Sequence, residues 1–336
     1  MKRRPLVLGL GAALALPAAA QPAPAASAPR RARLVLAGPY ATVSFPLIHM
    51  AESGALAGFA EQVVFTGWRT PDQLRALAVD GGAAFVAAPT NVAANLYNRG
   101  VALQLLNVSV WGMLSLVSRS AAMKTLADFK GQEIAVPFRA DMPDIVLQLL
   151  AQAQGLDAQR DFRLRYVPTP MDAVQLLIHR RVDHALLAEP MTSMALRRTR
   201  SFPVSVIAPE LFRSVDLQQE WGRVFERAPR IPQAGIAALG AVRDDAALLS
   251  AFRAAYRASA QWCVQQPAEC GALVARHVEM LDAAAVADAL RQAPLQEVPA
   301  AETRAELAFF FGLLHERQSA LVGGRLPDAA FYGLLD

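Results

Sequence analysis

The sequence is poor in the side chains that carry redox, metal and nucleophilic chemistry. Its 336 residues include two cysteines and five histidines. The histidines (His49, His179, His184, His277 and His315) are scattered through helical or strand-like runs, where a structural or surface role is the natural reading. No His or third Cys stands at a spacing that would complete a zinc set. G-x-S-x-G, Walker, H-E-x-x-H and G-x-G-x-x-G patterns are all missing, which removes the usual signatures of hydrolases, P-loop NTPases, zinc peptidases and dinucleotide enzymes. Ser115 and Ser118 have no local partner that would mark a nucleophile. The chain therefore reads as a binding protein and not an enzyme, with no metal and no cofactor expected.

Charge is also scarce. Charged residues make up 18% and hydrophobic residues 54%, the balance of a packed globular chain. Lys2, Arg3 and Arg4 lie in a leader without acids and account for three of the four net positive charges. The remainder has no basic footprint, so no nucleic-acid partner is expected. Outside the leader no run of eighteen apolar residues occurs, which excludes a helical membrane span.

The leader has three parts: the basic Lys2-Arg3-Arg4, an apolar stretch over residues 6–16, and Ala18-Ala19-Ala20 as an A-x-A cleavage site. A signal peptide over residues 1–20, cut after Ala20, is the expectation. A cut after Ala28 would leave Pro29 just past it. Arg3-Arg4 leaves twin-arginine export open beside the general route. No cysteine follows the apolar stretch, so a lipoprotein is not expected, and the mature chain should reside in the periplasm. Residues 21–31 read as a Pro/Ala linker. In such an oxidising compartment Cys263 and Cys270 can bridge a corner at Pro267, with two buried thiols or a metal pair as the other readings.

The body of the chain is organised around residues 125–198. Apolar strands at residues 133–136, 162–167 and 184–187 are each followed by a turn and a helix-period run. Three strand–turn–helix repeats predict a parallel α/β sheet, and ligands bind such sheets beyond the strands' carboxyl ends. Residues 33–118 show the same alternation, with strands near residues 33–37, 63–66, 84–87, 101–110 and 114–118. Residues 204–207 read as a further strand, and residues beyond 246 as mostly helical. Two strand-like crossings, near residues 113–119 and 231–241, bracket the central block. The expected organisation is an inserted lobe over 120–230 and a discontinuous lobe over 32–112 plus 242–336, hinged at the crossings. The fold class is then α/β with a cleft between two α/β lobes.

Candidate binding residues come from the strand-end loops. Thr42, Ser44, Thr90, Asn91 and Thr169 offer small polar groups beside helix starts, where free N–H groups favour an anion; capping would use the same residue types. Glu189 can accept from an amine or ring N–H, latch the lobes, or decorate a helix start. Arg139 and Asp141 can pair, meet ligand or face water. Tyr40, Trp111 and Phe138 can supply flat walls. Met142 and Met171 join them as adaptable wall residues, and with Met191 and Met194 they would alternatively hold copper(I).

These residues resemble a family. TLADFKGQEIAVP (125–137) is similar to the L-x-D-L-K-G-K-x-I-A-V segment of bacterial solute-binding proteins that serve ABC importers. TPMDAVQLLIHRRVDHALLAEP (169–190) looks like their P-x-D-A-x-x-A-L-x-x-G-x-V-D-A-x-x-x-x-E-P segment. The subgroup contains nitrate, bicarbonate, aliphatic-sulfonate, taurine and thiamine-pyrimidine binders, and the likeness spans roughly residues 33–290. It implies the two-lobed, type II periplasmic binding-protein fold. It also implies capture of a small organic anion or nitrogen heterocycle, and delivery to an inner-membrane permease and its ATPase by a monomer. His179-Arg180-Arg181 departs from the family's Gly-containing turn, and Glu189-Pro190 is closer to the nitrate/bicarbonate type. Alternatives are an enzyme on the same fold (thiamine-pyrimidine synthesis or small-acid dehydration), a ligand-responsive sensor partner and a copper carrier.

Overall fold

The computed structural model describes residues 30–208 and 210–334. The expected leader and residues 21–29 of the linker lie outside them, and Arg31 already belongs to the first strand.

The chain opens with β1 (Arg31–Pro39), α1 (Phe45–Ser53), β2 (Ala60–Trp68), α2 (Pro71–Val79), β3 (Phe85–Pro89) and α3 (Thr90–Asn98). Short strands β4 (Leu103–Leu105) and β5 (Asn107–Val108) follow. The chain then crosses to a second unit: β6 (Leu114–Ser118), β7 (Glu133–Pro137), α4 (Met142–Ala153), α5 (Ala158–Asp161), β8 (Arg163–Val167) and α6 (Pro170–Ile178). That unit continues through β9 (His184–Ala188), α7 (Met191–Arg200), α8 (Val204–Ile207), β10 (Phe212–Asp216) and α9 (Leu217–Phe225). It returns with β11 (Ala234–Leu239), then α10 (Ala246–Gln265), α11 (Pro267–His277), α12 (Ala283–Gln292), β12 (Val298–Pro299) and α13 (Arg304–Arg317).

Two five-stranded sheets result, ordered β2-β1-β3-β11-β4 and β10-β6-β9-β7-β8. In each, the strands of the β/α repeats are parallel: β1 with β2 and β3, and β7 with β8 and β9. The expectation of parallel sheets needs correcting, because β11 runs antiparallel to β3 and β4, and β6 antiparallel to β9 and β10. A strand that enters from the other unit arrives in the opposite sense, which no local pattern reveals. Residues 204–207 form a helical turn, α8, in place of the expected strand, while β10 and α9 arise in a stretch with no clear periodicity.

Local chemistry explains the helix starts that matter for the site. Thr70 caps α2 by accepting from the Gln73 N–H, with Pro71 in the first turn. Thr169 and Asp172 form a capping box on α6, with Pro170 in its first turn. The same Thr-Pro device thus ends a strand and begins a helix in both units. Apolar residues on one sheet face pack under α1, α10, α6 and α7, and those on the other under α3, α4, α9 and α13. Trp221 of α9 meets Phe309 and Phe310 of α13 edge-on, which ties the second unit to the C-terminal helices. Cys263 and Cys270, both fully buried, are joined across the α10–α11 corner with Cα atoms 5.1 Å apart. Among the described residues no helix is long and apolar enough to cross a membrane.

Candidate functional site

Strand ends from both sheets converge on one cavity of about 290 Å³. The first sheet contributes residues at or just after the ends of β1 (Tyr40, Val43), β2 (Trp68, Arg69) and β3 (Pro89, Val92). The second contributes residues after β7 (Phe138, Asp141, Met142), β8 (Thr169, Met171, Asp172) and β9 (Glu189, Met191). Met113 and Gln233 come from the two crossings, and Met280 from the α11–α12 loop. A wider groove of about 1170 Å³ runs beside α2 and α3. Apart from Ala140 and Asp141, its lining comes from the first unit and the C-terminal segments, so the smaller cavity is where the two units meet.

The two crossings are hydrogen-bonded to each other: Ile231 N–H donates to the Trp111 carbonyl at 2.9 Å, and Gln233 N–H to that of Val110 at 3.0 Å. The Gln233 side chain also accepts from Met113 N–H at 3.2 Å.

Seven of the thirteen sequence-derived binding candidates line the cavity: Tyr40, Phe138, Asp141, Met142, Thr169, Met171 and Glu189. Tyr40 lies so close over Gly67 that a Cβ there would overlap its ring. Phe138 and Ala140 have φ of 58° and 61°, left-handed values that cost non-glycine residues roughly 1–2 kcal/mol each. Asp144 holds this turn by accepting from Ala140 N–H at 2.8 Å, and it also accepts from Gln148 and Tyr166. Backbone strain stored beside a cavity is characteristic of binding loops.

The other six are placed elsewhere. Thr42 is buried and donates to the Met113 thioether, and Thr90 donates to the Pro232 carbonyl. Ser44 and Asn91 are buried, each with an oxygen lacking a hydrogen-bond partner; Asn91 faces the wider groove. Trp111 donates its indole N–H to the Gln296 carbonyl and carries the Arg230 guanidinium 3.4 Å above its ring. Arg139 neither pairs with Asp141 nor lines the cavity; it lies over Tyr166 at 5.1 Å.

The acids are already engaged. Glu189 is almost fully buried, 2.6 Å from Arg213 and accepting from Ser193 N–H at 3.2 Å. Arg213 in turn donates to Ser115 Oγ. Asp141 pairs with Arg75 at 3.4 Å, and burial pushes its carboxyl above the usual Asp range, partly offset by Arg75. Asp172 is consumed by its capping box with Thr169.

Sequence reasoning missed Trp68, Arg69, Met113, Gln233 and Met280. Trp68 and Arg69 sit in a strand-end loop like the others, so the same rule would have found them. Gln233 and Met280 arrive through long-range packing that leaves no local signal. Of the four methionines considered for a soft ion, Met194 is in the core and the other three line the cavity.

No protein-family model matches the chain, and no curated protein matches it. Solved structures do. An ABC transporter from Parabacteroides distasonis is 23% identical, with a TM-score of 0.72 over 89% of this chain and 98% of that one. The periplasmic aliphatic sulphonate binding protein SsuA from Escherichia coli is 16% identical, with a TM-score of 0.64 over 88% and 92%. The periplasmic nitrate-binding protein NrtA from Synechocystis PCC 6803 is 16% identical, with a TM-score of 0.68 over 91% and 85%. The chain has the two-lobed fold of these periplasmic binding proteins, as its motifs had implied.

Proposed function

We propose that this chain is the substrate-binding component of an ABC-type importer. The observation that carries the reading is the single cavity built from the strand-end loops of two separate sheets, which are connected by two hydrogen-bonded crossings. Residues 32–112 plus 242–336 form one lobe and residues 120–230 the other, with the crossings as hinge. An exported, periplasmic monomer captures a small organic anion or nitrogen heterocycle in the open state. The lobes close around it, and docking on a membrane permease with its ATPase releases it. Its seven cavity-lining candidates, together with Trp68, Arg69 and Gln233, make the contacts. Binding is the whole chemistry.

The test is a thermal-shift screen of small organic solutes followed by X-ray scattering with and without the best hit. A true ligand raises the melting temperature by mass action and reduces the radius of gyration as the lobes close. Chemical turnover of the hit, or binding with no change in radius, would sink the capture reading.

A further inference from the structure

We infer that the cavity takes a flat, apolar-bodied monoanion, with an aromatic carboxylate as the type, in preference to a small inorganic oxyanion. This narrows the ligand of the capture function proposed above and rests on it.

The walls set the body of the ligand. Tyr40, Trp68 and Phe138 present rings to the cavity, and Met113, Met142 and Met171 add thioethers. Thioethers contact aromatic rings favourably and adapt to their shape. At about 290 Å³ the cavity stands at the lower end of pockets that enclose a small organic molecule. An ion of nitrate size would leave most of this apolar wall uncovered.

The polar groups set its charge. Each carboxylate on the wall has its own partner: Arg75 for Asp141, Thr169 for Asp172, Arg213 and Ser193 N–H for Glu189. Asp172 is exposed and spends one carboxylate oxygen on Thr169; the other uncommitted groups are able to donate. Among the described residues the Arg69 guanidinium makes no ion pair and lies 5.9 Å from the Tyr40 ring centre. Gln233 spends its oxygen on Met113 N–H, which leaves its amide N–H groups free. A buried donor without an acceptor costs stability, so the ligand's acceptor satisfies the buried Gln233 amide while the exposed Arg69 guanidinium supplies the countercharge.

The backbone argues against a small oxyanion. Such ions bind helix N-termini through free N–H groups. Here Pro71, Pro143 and Pro170 occupy the first turns of α2, α4 and α6 and remove a donor from each. Thr70 and Thr169 cap donors that remain. At these three of the helix starts around the cavity, recognition falls to side chains at one end of an apolar slot.

The test measures binding of benzoate, phenylacetate, benzylamine, nitrate, methanesulfonate and copper(I) by calorimetry, with scattering to read closure. The expected result is binding and compaction with benzoate or phenylacetate, and none with the isosteric cation benzylamine. Arg69→Met should weaken the aromatic carboxylates about tenfold or more, the loss of a charged hydrogen bond, without moving the melting temperature of the unliganded protein. Preference for nitrate or methanesulfonate, with compaction, overturns this inference and leaves the capture function standing. Preference for benzylamine overturns the assigned charge, and copper(I) binding without organic ligand makes the thioethers the site. Carboxylate binding that ignores Arg69→Met overturns the role of Arg69. If no probe binds or compacts the protein, the inference falls, and the capture reading stands or falls with the wider solute screen.

Discussion

The Arg75 guanidinium, on the helix that follows a strand of the first sheet, reaches the Asp141 carboxylate beside the second sheet at 3.4 Å. Arg75 sits on α2, behind β2 of the first sheet, and is held from its own helix by Asp72 at 3.0 Å. Asp141 is the N-cap position of α4, behind β7 of the second sheet. The pair spans the two units at the loop that carries Phe138 into the cavity, so it links the state of the cleft to a charge contact.

Arg75→Ala leaves the buried Asp141 carboxylate without its cation, which should cost about 1–3 kcal/mol. Its effect should also appear in the unliganded ensemble, which shifts toward open lobes. X-ray scattering reads this directly as a larger radius of gyration for the variant. An unchanged radius would show that the pair does not hold the lobes together.

Asp141 also predicts a pH effect. Burial raises its carboxyl above the ordinary Asp value of 3.8, reinforced by Asp72 and Asp144 and opposed by Arg75. The folded state therefore binds this proton more tightly than the unfolded state. Its contribution to stability falls as pH rises from about the ordinary value through the raised one, and is flat outside that window. D141N should remove that slope. Urea unfolding across the acid range should show the variant gaining on the wild type as pH rises, and parallel curves would refute the assignment.

Arg213→Met should be costly. It strands the buried Glu189 carboxylate with Ser193 N–H as its remaining partner. Removing one member of a buried pair costs about 3 kcal/mol or more. The same substitution combined with Glu189→Gln should recover much of the loss, because no uncompensated charge remains. A denaturant-melt cycle over the three variants measures it, and equal losses in the single and double variants would count against the pair.

Gly67→Ala tests the seat of Tyr40. The new Cβ would overlap the Tyr40 ring, so the ring must leave its place on the cavity wall. Overpacking of this kind costs about 1–3 kcal/mol. The melting temperature should fall, and ligand affinity should fall with it although residue 67 lies outside the cavity lining. Unchanged affinity at a lowered melting temperature would remove Tyr40 from the contacts.

How much of this was legible in the chain differs by element. The parallel strands β7, β8 and β9 and the helices after them were readable, because alternation and helical period are local. So was the helix start beside Thr169, and with it the rule that candidate residues lie at strand ends. Phe138, Asp141, Thr169 and Glu189 were found that way. The partners of those residues were not. Glu189 meets Arg213 from β10, and Asp141 meets Arg75, 66 residues away. Arg139, next door to Asp141, turns onto Tyr166 instead.

The sequence alone determined most of the β/α repeats, their alternation and the loops on which a site would be built, since each depends on neighbours within a turn or two. Tertiary structure decided the antiparallel entry of β6 and β11, the pairing of Asp141 with Arg75 and of Glu189 with Arg213, and the arrival of Gln233 and Met280. Those outcomes depend on which distant segments pair across sheets. One strand-end rule thus located the cavity, while its charge and its free donors emerged from contacts that no window of sequence contains.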